Sequence, residues 1–268
     1  MKKVKVYGER NSGTHFITRL IQRNFIAETI PGTLADAKQS GYRDTFEKQL
    51  ESLIQDECKR KLASSIKVDE YFLGNPWKTL GWKHCVPPLD IIESHPENEK
   101  ILFITLTKNP YAWALSMFRR PYGNFSLQKP DDLSQFLKEP WLTANRDNCP
   151  PLLNSPIELW NLKTDGYRQL EKNHTVLRIR YEDVIDNPEK FLSTVSEHLE
   201  KKPKKFFILN KSAKEEDVGK KDFNYYHDYY LNQRWREKLS DEHIEIINQY
   251  LDPIIVEEAG YTLINTNK

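Results

Sequence analysis

Apolar side chains at Val4 and Val6 stand ahead of a polar turn, Gly8 to His15, and apolar positions then recur at 16, 17, 20, 21 and 25. The first spacing predicts a short strand and the second a single helical face, with the helix starting near Ser12. Residues 101–120 repeat the logic: Ile101-Leu102-Phe103-Ile104-Thr105-Leu106-Thr107 reads as a strand buried on both faces. A polar turn follows, and Pro110 suits the first position of the next helix with Asn109 as its cap. A further strand is expected over residues 78–85, stopped by Pro87-Pro88. Later in the chain a helix is expected over 157–172 and a strand over 175–181. Next comes a helix capped by Asn187 and led by Pro188, with Phe191, Leu192, Val195 and Leu199 inward. The last helix is predicted to start near Ser240, carry Ile244, Ile247, Leu251 and Ile254 on one face, and end at Gly260. Strands that alternate with helices in this way argue for an α/β fold, a central parallel sheet flanked by helices on both faces, in a single domain over 1–268.

Two stretches break the alternation. Residues 27–76 turn charged and helix-favouring between Pro31-Gly32 and Gly74-Asn75-Pro76, which reads as a helical insertion on the surface. Residues 120–155 are rich in Pro, Asn and aromatics and lack a period, as a variable acceptor-binding segment would.

Charge adds little to this picture. Across 268 residues, 40 basic and 39 acidic side chains leave a net charge of +1, so nothing global recruits nucleic acid or an anionic membrane. No apolar run approaches the roughly 18 to 20 residues that span a bilayer, and the expected location is cytoplasmic. Cys58, Cys85 and Cys149 cannot all pair, and no Cys/His spacing suggests a metal, so none is expected. A reducing compartment suits that cysteine usage. Cys85 beside His84 reads as a buried structural thiol ahead of a nucleophile.

The chemistry is concentrated in the two strand-turn-helix units. A helix that begins within Gly8-Glu9-Arg10-Asn11-Ser12-Gly13-Thr14-His15 presents unpaired N–H groups and the positive end of its dipole, a natural seat for a phosphate-like anion. The nucleotide triphosphatase pattern GxxxxGK[ST] would need Lys at Thr14 and a hydroxyl at His15, so only half of it is present. The missing groups are those that reach the β/γ-phosphates and Mg²⁺, which argues for an anion bound without metal. The strand over 101–107 runs into Lys108, where a triphosphatase would carry an Mg²⁺-holding Asp. A cation therefore stands at the carboxyl edge of the sheet, where open parallel sheets bind ligands.

These residues resemble the sulfotransferase family, enzymes that move a sulfuryl group from 3′-phosphoadenosine 5′-phosphosulfate (PAPS) to a hydroxyl or amine. Arg10 to Thr14 is similar to the family's 5′-phosphosulfate loop, a basic residue followed by Ser-Gly-Thr. Lys108-Asn109-Pro110, with Ser116 eight residues after the Lys, is similar to its 3′-phosphate motif. Trp160-Asn161, Tyr181-Glu182-Asp183, Trp235 and Gly260-Tyr261 extend the likeness over residues 3–261, with 27–76 and 120–155 unmatched. In the family a Lys directly precedes Ser-Gly-Thr and an Arg opens the 3′-phosphate motif. Here the loop cation is Arg10, one residue earlier, and the second cation is Lys108, a point charge in place of a bidentate fork.

The resemblance implies a PAPS-dependent, metal-independent transferase acting on a small-molecule or glycan acceptor. Arg10, Asn11, Ser12, Gly13, Thr14 and, at the loop's outer end, His15 are its candidate donor contacts, with Lys108 and Ser116 at the 3′-phosphate. Gly219-Lys220-Lys221 supplies further candidates in Lys220 and Lys221. Arg10 is the candidate for the cation that draws charge from the bridging oxygen, and His84 for the general base, with Lys83 beside it. The aromatic run Tyr225, Tyr226, Tyr229, Tyr230 reads as helix packing. Two other classes stay open on the residues: a divergent nucleotide kinase using the half loop, and a nucleotide-binding protein without catalysis.

Overall fold

In the computed structural model, which describes residues 2–34, 40–121, 130–203 and 221–266, the opening strand β1 (Lys3–Gly8) leads through the turn into α1 (Thr14–Asn24). The chain continues through β2 (Glu28–Thr29), α2 (Ser40–Leu53), α3 (Glu57–Gly74), α4 (Pro76–Thr79) and α5 (Leu89–Ser94) to β3 (Ile101–Thr107) and α6 (Pro110–Arg119). Then come α7 (Leu133–Lys138), a small hairpin of β4 (Trp141–Leu142) and β5 (Leu152–Leu153), α8 (Ile157–Glu171), β6 (Val176–Arg180), α9 (Tyr181–Asp186) and α10 (Pro188–Leu199). Helices α11 (Phe223–Leu231), α12 (Asp241–Tyr250) and α13 (Pro253–Glu258) close the described chain.

Strands β2, β1, β3 and β6 lie in that order in one parallel sheet. Its alternation sorts side chains to two faces. Val4, Val6, Leu102, Ile104 and Leu106 pack with α1, α6 and α10, through residues such as Ile17, Leu20, Trp113 and Leu192. Tyr7, Ile101 and Phe103 pack on the other face with Leu80, Ile92, Tyr167 and Leu170. Every residue of β3 is buried, as an all-apolar strand between two helical layers must be. In register, Gly8 stands opposite Leu106 and Thr107 opposite Arg180, so three strands end together and define one carboxyl edge.

The helix caps follow from the sequence. Asn109 accepts from the amides of Tyr111 and Ala112 ahead of Pro110, and Asn187 accepts from Lys190 ahead of Pro188.

Two expected elements differ. Residues 78–85 form no strand: Pro76–Thr79 is a helical turn, and Leu80 (φ 51°) and Gly81 (φ 82°) take left-handed conformations that no strand admits. The reason lies in β1. Lys5, fully buried, donates its ammonium to the carbonyls of Pro31 (3.1 Å), Thr79 (2.5 Å) and Gly81 (2.6 Å), and the Tyr7 hydroxyl donates to Leu80 O. Carbonyls gathered around one cation cannot also point along a ladder. The C-terminal helix expected from Ser240 to Gly260 is two helices, because Pro253 cannot donate to the carbonyl a turn earlier. Asp252 instead caps a new start, accepting from Ile254 and Ile255, and Ile254 is left 64% exposed.

Candidate functional site

At the end of β1 the turn departs from helical geometry twice. Asn11 (φ 65°) and Gly13 (φ 100°) are left-handed, and Gly13, the N-cap of α1, has no side chain of its own with which to accept the first amides. A helix N-terminus without a side-chain cap of its own favours an external acceptor. A Cβ on Gly13 would stand 2.5 Å from the Tyr181 ring, and one on Gly8 would stand 2.6 Å from Thr14 Cγ2. Both glycines are required by close approach. Ser12 and Thr14 are buried, with Ser12 Oγ donating to Glu9 O (2.5 Å), whereas His15 is exposed.

At the end of β3, Lys108 is brought to the same place. Its ammonium donates to Ser116 Oγ (3.1 Å), Tyr230 Oη (2.5 Å) and the carbonyl of Asn11 (3.3 Å), and lies 4.1 Å from the Tyr230 ring centroid. All three hydrogen-bond partners are neutral. Burial, only partly opposed by the charge of Glu182, brings the Lys108 ammonium down to about 7. The turn itself is braced: Trp160 Nε1 donates to Lys108 O (2.9 Å), and Glu182 accepts from the Asn109 amide (3.0 Å) and from the Tyr261 hydroxyl (2.8 Å). A buried cation among neutral hydroxyls thus stands beside a helix start that has no side-chain cap of its own.

His84 lies on the loop that replaces the expected strand. Gly8 N donates to Lys83 O (2.9 Å) and Lys83 N to Gly32 O (3.2 Å), which seats the loop against β1. His84 Nδ1 is 2.5 Å from Gly8 O. A carbonyl only accepts, so Nδ1 carries the proton and Nε2 keeps its lone pair. Burial, with the charge of Lys83 and more weakly of Arg10 and Lys163, holds the imidazole well below its ordinary value, so it is neutral at pH 7. Cys85 is buried and its thiol is pushed up to about 12 by that burial, which leaves it inert as a nucleophile.

Arg10 is 5% exposed. Its guanidinium is 3.1 Å from both oxygens of Asp147 and 4.7 Å from the Trp82 ring centroid, and its carbonyl accepts from Trp113 Nε1 (2.8 Å). Arg146, paired with Asp69 (2.5 Å), lies 4.6 Å from the same ring. Lys163, fully buried on α8, joins Asp147 (2.8 Å) to Glu9. Burial alone would raise the Asp147 carboxyl, but Arg10 and Lys163 outweigh it and hold the group well below the carboxylate range.

Of the expected site residues, the structure therefore gathers Arg10 to Thr14, Lys108 and Ser116 at the sheet's carboxyl edge, with Lys83 and His84 beside them. Lys221 stands two residues ahead of α11, 5.4 Å from the Tyr225 ring centroid. Lys220 lies outside the described residues. Among the described residues no group of three or more His, Cys, Asp or Glu is placed to hold a metal ion. No described helix is long and apolar enough to cross a membrane.

A family described as the sulfotransferase domain matches residues 84–257. The chain belongs to the sulfotransferase family. The match opens at His84 and takes in Lys108, Ser116, Trp160 and Tyr230, while the loop at 8–15 precedes it. Among solved structures, this sulfotransferase is similar to a sulfotransferase domain from the Synechococcus PCC 7002 olefin synthase, at 15% identity and a TM-score of 0.43 over 93% of this chain and 94% of that one. It is also similar to a sulfotransferase domain from the curacin biosynthetic pathway, at 13% identity and 0.43 over 98% and 99%. No curated protein matches the chain.

Sequence patterns did not single out Asp147, Lys163, Glu9 or Tyr230 as site residues. Lys163 follows Trp160 by one helical turn, and Tyr230 is the one buried tyrosine of its run, but neither spacing is distinctive on its own. Asp147 sits in an aperiodic segment that carries no signal at all.

Proposed function

We propose that this sulfotransferase moves a sulfuryl group from PAPS to a hydroxyl or amine of a small-molecule or glycan acceptor, in the cytoplasm and without a metal. The carrying observation is the contact of Lys108 with both Ser116 and the carbonyl of Asn11. It makes the two donor motifs one surface at the sheet's edge. Residues 1–268 would act as one domain, with the helices that follow β2 within 27–76 as an insertion and 120–155 shaping the acceptor side.

PAPS brings an activated sulfuryl group on an anhydride to its 5′-phosphate. The open amides and dipole of α1, with Asn11, Ser12, Gly13 and Thr14, hold that end, and His15 stays at the rim. Lys108 and Ser116 hold the 3′-phosphate, Lys221 adds positive charge just ahead of α11, and Lys220 is a further candidate donor contact. Arg10 stabilises the charge that grows on the bridging oxygen as the bond to sulfur breaks. His84 Nε2 takes the proton from the acceptor as its oxygen or nitrogen attacks, and burial, with the charge of Lys83, keeps the imidazole in its neutral, accepting state. Sulfuryl transfer, like phosphoryl transfer, depends on position and on stabilising dispersed charge.

The test is transfer of labelled sulfate from PAPS across a panel of glycans, phenols, lipids and peptides, with Arg10→Ala and His84→Ala beside the parent chain. Calorimetry with 3′,5′-diphosphoadenosine reports binding separately. Transfer lost in both variants while the nucleotide still binds is the expected result; a parent chain that takes up no nucleotide overturns the assignment.

A further inference from the structure

We propose that Asp147, at the tip of the β4–β5 hairpin, is the positioning residue that fixes the Arg10 guanidinium for its part in sulfuryl transfer. This rests on the role given to Arg10 above.

Among the described residues, four buried side chains join two cations to two anions: Arg10, Lys163, Asp147 and Glu9. Of these, Glu9 is already engaged by Lys163 and by the Arg10 amide (2.6 Å). Asp147 is therefore the carboxylate that faces the guanidinium, with both oxygens at 3.1 Å. Its own orientation is fixed from several sides. Oδ2 accepts from the Ala144 amide (2.8 Å), Oδ1 from Lys163 (2.8 Å), and its carbonyl accepts from the Val86 amide (2.9 Å) two residues beyond His84. The Trp82 ring completes the frame, with Arg10 4.7 Å from its centroid and His84 edge-on at 4.8 Å. One carboxylate thus sets where the loop cation stands relative to the candidate base. Asparagine at 147 would keep the size and leave an uncompensated positive charge in a buried cluster, so Arg10 and Lys163 would repel each other and the guanidinium would leave its place.

The experiment is a double-mutant cycle in the full chain with Asp147→Asn and Arg10→Gln. Asp147→Asn is expected to lower kcat by about 10²-fold, the scale of removing one oriented charge-stabilising donor. It should shift the affinity for 3′,5′-diphosphoadenosine by less than about threefold, since the α1 amides and Lys108 are untouched. In the Arg10→Gln background it should cost no further kcat. An equal loss in both backgrounds, or a loss of nucleotide affinity matching the loss of kcat, overturns the proposal. Should Asp147→Asn melt below the assay temperature, Asp147→Glu takes its place, and the same cycle is expected to show coupling. A parent chain that transfers nothing would overturn the proposed function instead. The Asp147–Arg10 relation is then read from the Arg10 side-chain ¹⁵N resonance, assigned with Arg10→Lys. Slowly exchanging in the parent and broadened in Asp147→Asn supports it; unchanged in the variant overturns it.

Discussion

The ammonium of Lys108 reaches back 97 positions to donate to the carbonyl of Asn11, joining the turn after β3 to the turn after β1. Asn11 itself is left-handed, at φ 65°. The contact ties the position of either turn to the other.

Lys108→Ala should weaken binding of 3′,5′-diphosphoadenosine roughly ten- to hundredfold, the range for a lost hydrogen bond to a charged group, with kcat less affected. Ser116→Ala should cost only about fivefold, as a neutral hydroxyl does. Isothermal calorimetry measures both; a Lys108→Ala protein with parental affinity would remove the 3′-phosphate assignment.

Lys108 also predicts a pH dependence with opposite signs for stability and binding. Its folded value of about 7 lies below its ordinary 10.5, so between those limits the unfolded chain holds the extra proton. This group's contribution to stability therefore rises with pH from about 7 to about 10. A bound phosphate favours the charged ammonium, so nucleotide affinity should fall over the same interval by up to about tenfold per pH unit. Calorimetry in buffers of different ionisation enthalpy should show proton uptake on binding at pH 8, and Lys108→Met should abolish it.

His84→Ala should lower kcat by about 10²- to 10⁴-fold, the usual contribution of general acid–base catalysis, with nucleotide binding intact. Because the imidazole titrates well below 6.5, it is in its base form at neutral pH and loses it only as pH falls through that depressed value. The acid limb of the kcat profile is thus expected below pH 6.5. A limb at 7 that vanishes in the variant would place a different environment around the ring.

Gly13→Ala puts a Cβ 2.5 Å from the Tyr181 ring at a φ of 100°. The expected loss is about 1–3 kcal/mol from the strained backbone alone, and differential scanning calorimetry should show about 2–4 °C lower melting for each kcal/mol. A stability equal to the parent's would mean that the turn relaxes without harm.

How much of this is legible in the chain depends on whether local spacing or distant side chains decide the outcome. β3 and its Asn109-Pro110 cap could be read directly, because an unbroken apolar run and a cap are local signals. Lys108 and Ser116 were paired in the sequence only through the likeness to the 3′-phosphate motif; in the fold the helix returns the serine to within 3.1 Å of the ammonium. Residues 78–85 misled, since their apolar and aromatic content suits a strand, and only the burial of Lys5 against three carbonyls decides otherwise. A lysine inside a strand gives no local sign of that. The C-terminal helix shows the converse, where an apolar stripe that seemed continuous to 254 gave way to one proline. Asp147 and Lys163, 16 apart in sequence and ion-paired in the core, are fixed by tertiary contact alone.

The loop gathered around Lys5 has one more effect. Strand β2 pairs only with the first residues of β1, so without residues 79–84 the remaining rim of that strand would offer unsatisfied amides and carbonyls to any passing chain. The opposite rim, β6, is guarded differently, by Arg178 and Arg180 with their acidic partners Glu171 and Asp183. A Lys5→Met protein would lose the clasp on one side only, and it is expected to self-associate through that uncovered border, seen as a concentration-dependent rise in size on gel filtration.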